Sequence, residues 1–164
     1  MLFRSDPVLT VREVYRPRPL ARVVFDRRLR TPATARLFST LHAGPVIILT
    51  TADAVHRSPE RAAALRTSGA TLVEGIGDLR ADLGTLVDCD ISTLLLEGGA
   101  TMHASAWEAG VIDRVHVIVS PRRLGADGVQ LFNGIDLPAS ALVPVTVDML
   151  GPDAWMEADV HRHR

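Results

Sequence analysis

Leu94-Leu95-Leu96-Glu97-Gly98-Gly99-Ala100-Thr101 is the stretch on which the reading of this chain turns. An apolar run that begins at Ile91 stops at a carboxylate, crosses two glycines and enters a helix-tolerant segment. The run Ile91 to Leu96 is short and uncharged, the pattern of a strand buried on both faces of a mostly parallel sheet. Gly98 and Gly99 are expected to turn the backbone sharply and to let a ligand approach without meeting a Cβ. From Thr101 to Ala109, Met102, Ala106 and Ala109 share one helical face, and Gly110 stands where a C-terminal glycine stop belongs. The unpaired amides at the start of that helix would face whatever lies at the carboxyl end of the strand, which is an anion-binding arrangement. A lone glycine pair after a strand is also an ordinary tight connection. Glu97 raises the odds of a site, because a carboxylate there has no core role and lies where open α/β sheets take ligands.

Moving outward, Gly110 to Ile112 reads as a turn into a second strong strand, Val115 to Val119, which Pro121-Arg122-Arg123 leaves in a loop. Towards the amino terminus, Asp78 caps a helix with Leu79, Leu83, Leu86 and Val87 on one apolar side. Before it come a short strand around Val73 and a helix opened by Ser58-Pro59-Glu60 and stopped by Gly69. Val46 to Thr50 is an apolar strand after Gly44-Pro45, and Arg22 to Asp26 is a short strand followed by Arg27 and Arg28. Asp6-Pro7 and the alternation Val8 to Val14 read as a turn and an extended segment. At the other end, Leu142 to Leu150 and Ala154 to His161 are joined by Gly151-Pro152-Asp153, a hairpin signal. Alternating β and α followed by a hairpin predicts an α/β sheet, mainly parallel, with an antiparallel edge.

Composition narrows the function classes. At 164 residues and 47% hydrophobic, the chain is expected to form one domain, residues 1–164, with a proper core. The formal net charge of -1 offers no basic field for nucleic acid. All 18 basic residues are arginine, so a lysine Schiff base is excluded. The single cysteine, Cys89, makes no internal disulfide, no Cys/His spacing fits a structural zinc site, and a reducing cytoplasm is the expected location. His161 and His163 read as a solvated end strand before a metal tail. No amino-terminal signal segment and no run of about 18 apolar residues is present, so a soluble protein is expected.

Three pieces in order, Glu97-Gly98-Gly99-Ala100-Thr101, Glu108-Ala109-Gly110-Val111-Ile112-Asp113 and Ser120-Pro121-Arg122-Arg123-Leu124-Gly125-Ala126-Asp127, resemble the pyrimidine reductase of riboflavin biosynthesis, the reductase half of the bifunctional deaminase-reductase. Asp6-Pro7-Val8-Leu9-Thr10-Val11-Arg12 is similar to that family's substrate-phosphate loop, Arg22 to Asp26 to its next strand and Gly151 to Ala154 to its closing hairpin. The resemblance implies a dihydrofolate-reductase-like three-layer sandwich. It also implies reduction of 5-amino-6-(5-phosphoribosylamino)uracil to its ribityl form, or of a related small molecule, with hydride from NADPH, in a homodimer.

Hydride transfer asks the protein mainly to hold two reactants in contact, so the implied roles concern binding and no acid-base residue or metal is assigned. The resemblance puts Leu9, Arg12 and Glu97 at substrate positions, with Arg12 gripping the phosphate. Cofactor phosphates fall to Gly99, Ala100, Thr101, Met102, His103, Ala104 and Ser105, though core packing is the preferred reading for the side chains of Met102 and Ala106. His103 either meets a phosphate or faces solvent. Arg27 stands where the family often has a small polar residue, and either binds the 2′-phosphate of NADPH or lies on the surface. Ser5 occupies the place of a cofactor-contacting aspartate.

The departures are an amino-terminal stretch of about fifty residues, the size of a strand-helix unit and a little more, that the family has before the loop, and the absence of the zinc deaminase motifs. The expectation is therefore a shortened relative or a chain whose start is lost. The alternative to the enzyme is a non-catalytic remnant of the fold that serves as a dimerising or ligand-binding module.

Overall fold

The computed structural model describes residues 6–11, 17–123, 125, 128, 134 and 139–160. Residues Met1–Leu95 and Leu96–Arg164 form two compact units. The first holds three parallel strands, β1 (Arg22–Phe25), β2 (Val46–Thr51) and β3 (Ala70–Gly75), in the order β1-β2-β3. Val24 pairs with Ile48, and Ile48 with Leu72, so the register runs straight across the sheet. Central β2 is buried from Val46 to Thr50, as an apolar run flanked by two strands should be. A 3₁₀ helix (Arg36–Ala43) and helices α1 (Ala52–Arg57), α2 (Pro59–Thr67) and α3 (Leu79–Gly84) accompany the strands. Val24, Leu29, Leu37, Ile48, Ala62 and Leu65 form the core between them.

Arg22 shows how tightly this unit is made. It keeps 3% exposure, and its guanidinium donates to the carbonyls of Val8, Leu37, Thr40 and Gly44 and to Thr40 Oγ1, at 2.6 to 3.2 Å. Burial pushes its pKa below the ordinary arginine value. Two of those carbonyls, Leu37 and Thr40, belong to the 3₁₀ helix, Thr40 at its kink, and a third is that of Gly44 just after it, so one guanidinium ties that whole segment to β1.

The second unit holds α4 (Ala100–Glu108) and an antiparallel sheet in the order β4-β6-β5, from β4 (Arg114–Val119), β5 (Leu142–Leu150) and β6 (Asp153–Val160). The expected hairpin is β5-β6, with a register shift between Leu142 and Val145. A 3₁₀ turn (Ala139–Ala141) leads into β5.

Several expectations are corrected. Ile91 to Leu96 is not a buried central strand: residues 91–99 carry no strand, no ladder among the described residues includes them, and Leu95 is 71% exposed. An apolar run becomes a strand only when its edges find ladder partners, and here β3 and β4 pair only inside their own sheets. Ser58 is the N-cap of α2 with Pro59 in its first turn, as expected, but its hydroxyl makes no capping bond, its backbone (φ -137°, ψ 58°) also closing α1 through the Ala54 and Val55 carbonyls. The helix before it, α1, has its own cap in Thr51, which accepts from the Ala54 amide and starts a helix that the sequence did not announce. In the Asp78 helix Leu86 is buried and Val87 exposed, since α3 gives way to a 3₁₀ helix (Thr85–Cys89) that shifts the angular spacing.

Candidate functional site

The turn that opens α4 is the nearest thing here to an anion cradle. Gly99 is its N-cap (φ -71°, ψ 171°) and brings no side chain, so no side-chain capping bond covers the start of the helix. Its carbonyl accepts from the Met102 and His103 amides at 2.9 and 3.1 Å, which fixes the helix start. Neither glycine has left-handed backbone, so the turn does not rest on a positive φ at either of them. Gly98 is crowded instead, since a Cβ there would lie 3.0 Å from Met102 Cβ, tighter than side chains ordinarily pack. Side chains of Ala104 and Ala106 are buried, Met102 is half-buried, and Thr101 and Ser105 face solvent. His103 Nε2 lies 3.4 Å from the Leu96 carbonyl, so the ring leans back over the preceding segment. Glu97 is exposed, just before the turn.

In the first unit, Arg27 lies beyond the carboxyl end of β1, exposed, with its carbonyl 3.4 Å from Thr51 Oγ1 at the end of β2. Asp26 beside it is buried and accepts from the Thr31 amide and hydroxyl at 2.6 and 2.7 Å, holding the loop that follows. Leu9 is half-buried with φ 52°, and the adjacent Val8 carbonyl is held by Arg22 at the amino end of β1. Leu9 and Arg27 therefore belong to segments anchored at opposite ends of β1. Glu97 and Gly99 to Ser105 sit together on one turn of the second unit. Ser5 and Arg12 lie outside the described residues, as do residues 13–16, His161 and His163.

The two residues that sequence reasoning missed are buried polar ones, Arg22 and Asp82. The signal for Asp82 was available in Gly75 and Gly77, the last residue of β3 and the second one beyond it.

Against this geometry, the sequence model of the RibD C-terminal domain matches residues 1–155. The chain belongs to the RibD C-terminal domain family. A riboflavin biosynthesis protein RibD of Bacillus amyloliquefaciens is 29% identical over 174 aligned positions, covering 98% of this chain and 47% of that protein. The 2,5-diamino-6-ribosylamino-4(3H)-pyrimidinone 5′-phosphate reductase of Methanothermobacter thermautotrophicus is 34% identical over 146, covering 84% of this chain and 65% of that one. The RibD of Acinetobacter baumannii superposes with a TM-score of 0.75 at 24% identity, over 98% of this chain and 44% of that structure. The Thermotoga maritima deaminase/5-amino-6-(5-phosphoribosylamino)uracil reductase does so at 0.73 and 20% identity, over 98% and 43%. The fold is thus the α/β, dihydrofolate-reductase-like one of the RibD reductase domains, with a parallel sheet and an antiparallel hairpin. The chain spans less than half the length of the RibD proteins it matches. Among the described residues no helix is long and apolar enough to cross a membrane, and no group of His, Cys, Asp or Glu is placed to hold a metal ion.

Proposed function

We propose that this RibD-family chain is the NADPH-dependent reductase of riboflavin biosynthesis, reducing 5-amino-6-(5-phosphoribosylamino)uracil to the ribityl form. Family membership across residues 1–155 is the observation that carries the reading. It brings with it the α4 turn, whose uncapped amides suit the pyrophosphate of a nicotinamide dinucleotide. The cofactor supplies the hydride, and the protein holds the reactants. The turn Gly99, Ala100, Thr101, Met102, His103, Ala104 and Ser105 receives the cofactor phosphates, through the amides of its first residues, with His103 at its edge. Arg27 takes the 2′-phosphate and Ser5 makes a further cofactor contact. Leu9 and Glu97 contact the substrate, and Arg12 grips its phosphate through a paired, charge-assisted hydrogen bond. Residues 1–164 act as one reductase domain, in the cytoplasm, as a homodimer to which β4 and the β5-β6 hairpin contribute.

The test is oxidation of NADPH with the phosphorylated ribosylaminopyrimidine, alongside its 2,5-diamino counterpart. Turnover is expected, with Arg12→Ala raising KM for the pyrimidine by the worth of one charge-assisted phosphate contact, about 1.5–3 kcal/mol, and leaving NADPH affinity alone. A folded chain that turns over neither pyrimidine overturns the enzyme reading in favour of a binding module. Turnover unaltered by Arg12→Ala overturns the placement of the substrate loop.

A further inference from the structure

The carboxyl end of the first sheet contains a seat for Arg27 that the assigned site residues do not explain. Two residues build it. Asp82 on α3 is buried, and its carboxylate turns back to accept from the Ile76 amide at 2.7 Å and from the Gly77 amide at 3.1 and 3.2 Å. Gly75 is bare because a Cβ there would collide with the Asp82 carboxylate. The turn so pinned carries Gly77 at φ +91°, where a Cβ would lie 2.7 Å from Arg27 Nη2. The guanidinium therefore rests against a bare α-carbon, and the Arg27 carbonyl is met by Thr51 Oγ1. Between the glycines Ile76 keeps 83% exposure, an apolar surface next to a cation.

A cation lying beside an apolar surface, at the carboxyl end of parallel strands, has the chemistry that suits an adenosine 2′-phosphate. Resting on the reading of Arg27 given above, we propose that Asp82 and Gly77 are positioning residues that fix this guanidinium for the 2′-phosphate and so set the preference for NADPH over NADH. Arg27 makes the contact. Gly77 leaves it room, and Asp82 holds Gly77 in place.

Equilibrium binding of NADPH and NADH to the whole chain tests this without requiring turnover. Wild type is expected to prefer NADPH by tenfold or more, roughly the worth of one charge-assisted contact. Arg27→Ala and Gly77→Asn are each expected to bring the ratio close to one while NADH affinity holds. Asparagine is chosen because it tolerates left-handed backbone better than other side chains yet still carries a Cβ. Asp82→Asn keeps one acceptor oxygen and is expected to lose part of the preference. A merely structural role would lower melting temperature and weaken both dinucleotides alike, and that outcome overturns the proposal. If Gly77→Asn does not fold, Asp82→Asn decides by the same ratio. Equal affinity of wild type for the two dinucleotides overturns the seat while leaving the reductase standing. Failure to bind either one overturns the nicotinamide reading and the seat with it.

Discussion

Strands β2 and β5 are both rich in aliphatic residues, yet β2 is buried from Val46 to Thr50 while β5 is exposed over nearly its whole length. The difference lies in what each sheet has against its faces. Parallel strands need crossovers, and the crossovers of the first sheet are helices that bring Leu37, Ala62 and Leu65 onto it. The second sheet's hairpin is joined by a tight turn at Gly151-Pro152, which brings no layer with it. Its pairing puts Val115, Val117 and Val119 beside Ala158, Met156 and Ala154, and those beside Val145, Val147 and Met149, all on one face. Val147 keeps 57% exposure and Met149 66% on that face. The opposite face is held by polar contacts: Arg114 with Asp159 at 2.7 Å and Glu157 at 2.9 Å, and Trp155 Nε1 donating to His116 Nδ1 at 3.2 Å. Asp159 first, then Glu157, raises the pKa of Arg114. The same residue types thus do different things in the two regions. In the first they make a core, and in the second they make a surface.

The sharpest way to break this comparison is in the first sheet. Ile48→Ala removes a fully buried side chain from the core and should cost about 2–5 kcal/mol, read as a fall in denaturation midpoint. A loss below about 1 kcal/mol would mean that this core is not the one that holds the chain. In the second sheet the counterpart is Val147→Asp, expected to cost under about 1 kcal/mol in the melting of the isolated subunit, since an exposed position loses little. If the homodimer uses this face, the same variant should change the mass seen by light scattering from twice 17.7 kDa to a single chain. A wild-type chain that is monomeric at micromolar concentration, or a Val147→Asp chain that stays dimeric, contradicts the assignment.

The first sheet was legible because its signals are local. Arg22 to Phe25 and Val46 to Thr51 are apolar runs with turn residues near each end, and Asp78 does cap α3, accepting from the Ala81 amide at 2.9 Å. The hairpin was legible for the same reason, from Gly151-Pro152 between two β-rich runs. Ile91 to Leu96 was misread because strand formation depends on partners that the run itself does not contain. Helix α1 was missed because its cap, Thr51, is also the last residue of β2. Arg22 and Asp82 could not be picked out by type, since arginine and aspartate are usually at the surface, and only acceptors and donors that other segments supply make their burial tolerable. Of the site, Gly99 to Ser105 was legible as a helix start. The part assigned to Gly98 was not, because its constraint is a contact with Met102 and not a backbone angle.

The most direct test of the account is the affinity of NADPH for Gly99→Val. Gly99 has backbone angles that valine adopts readily, so the fold should be preserved, while its branched side chain would cover the first-turn amides of α4. Losing one amide contact to phosphate should weaken NADPH by about 10–100-fold, from about 1.5–3 kcal/mol per charged hydrogen bond, with an unchanged melting temperature. A Gly99→Val chain that melts like wild type and binds NADPH equally well would contradict the placement of the cofactor phosphates at this turn.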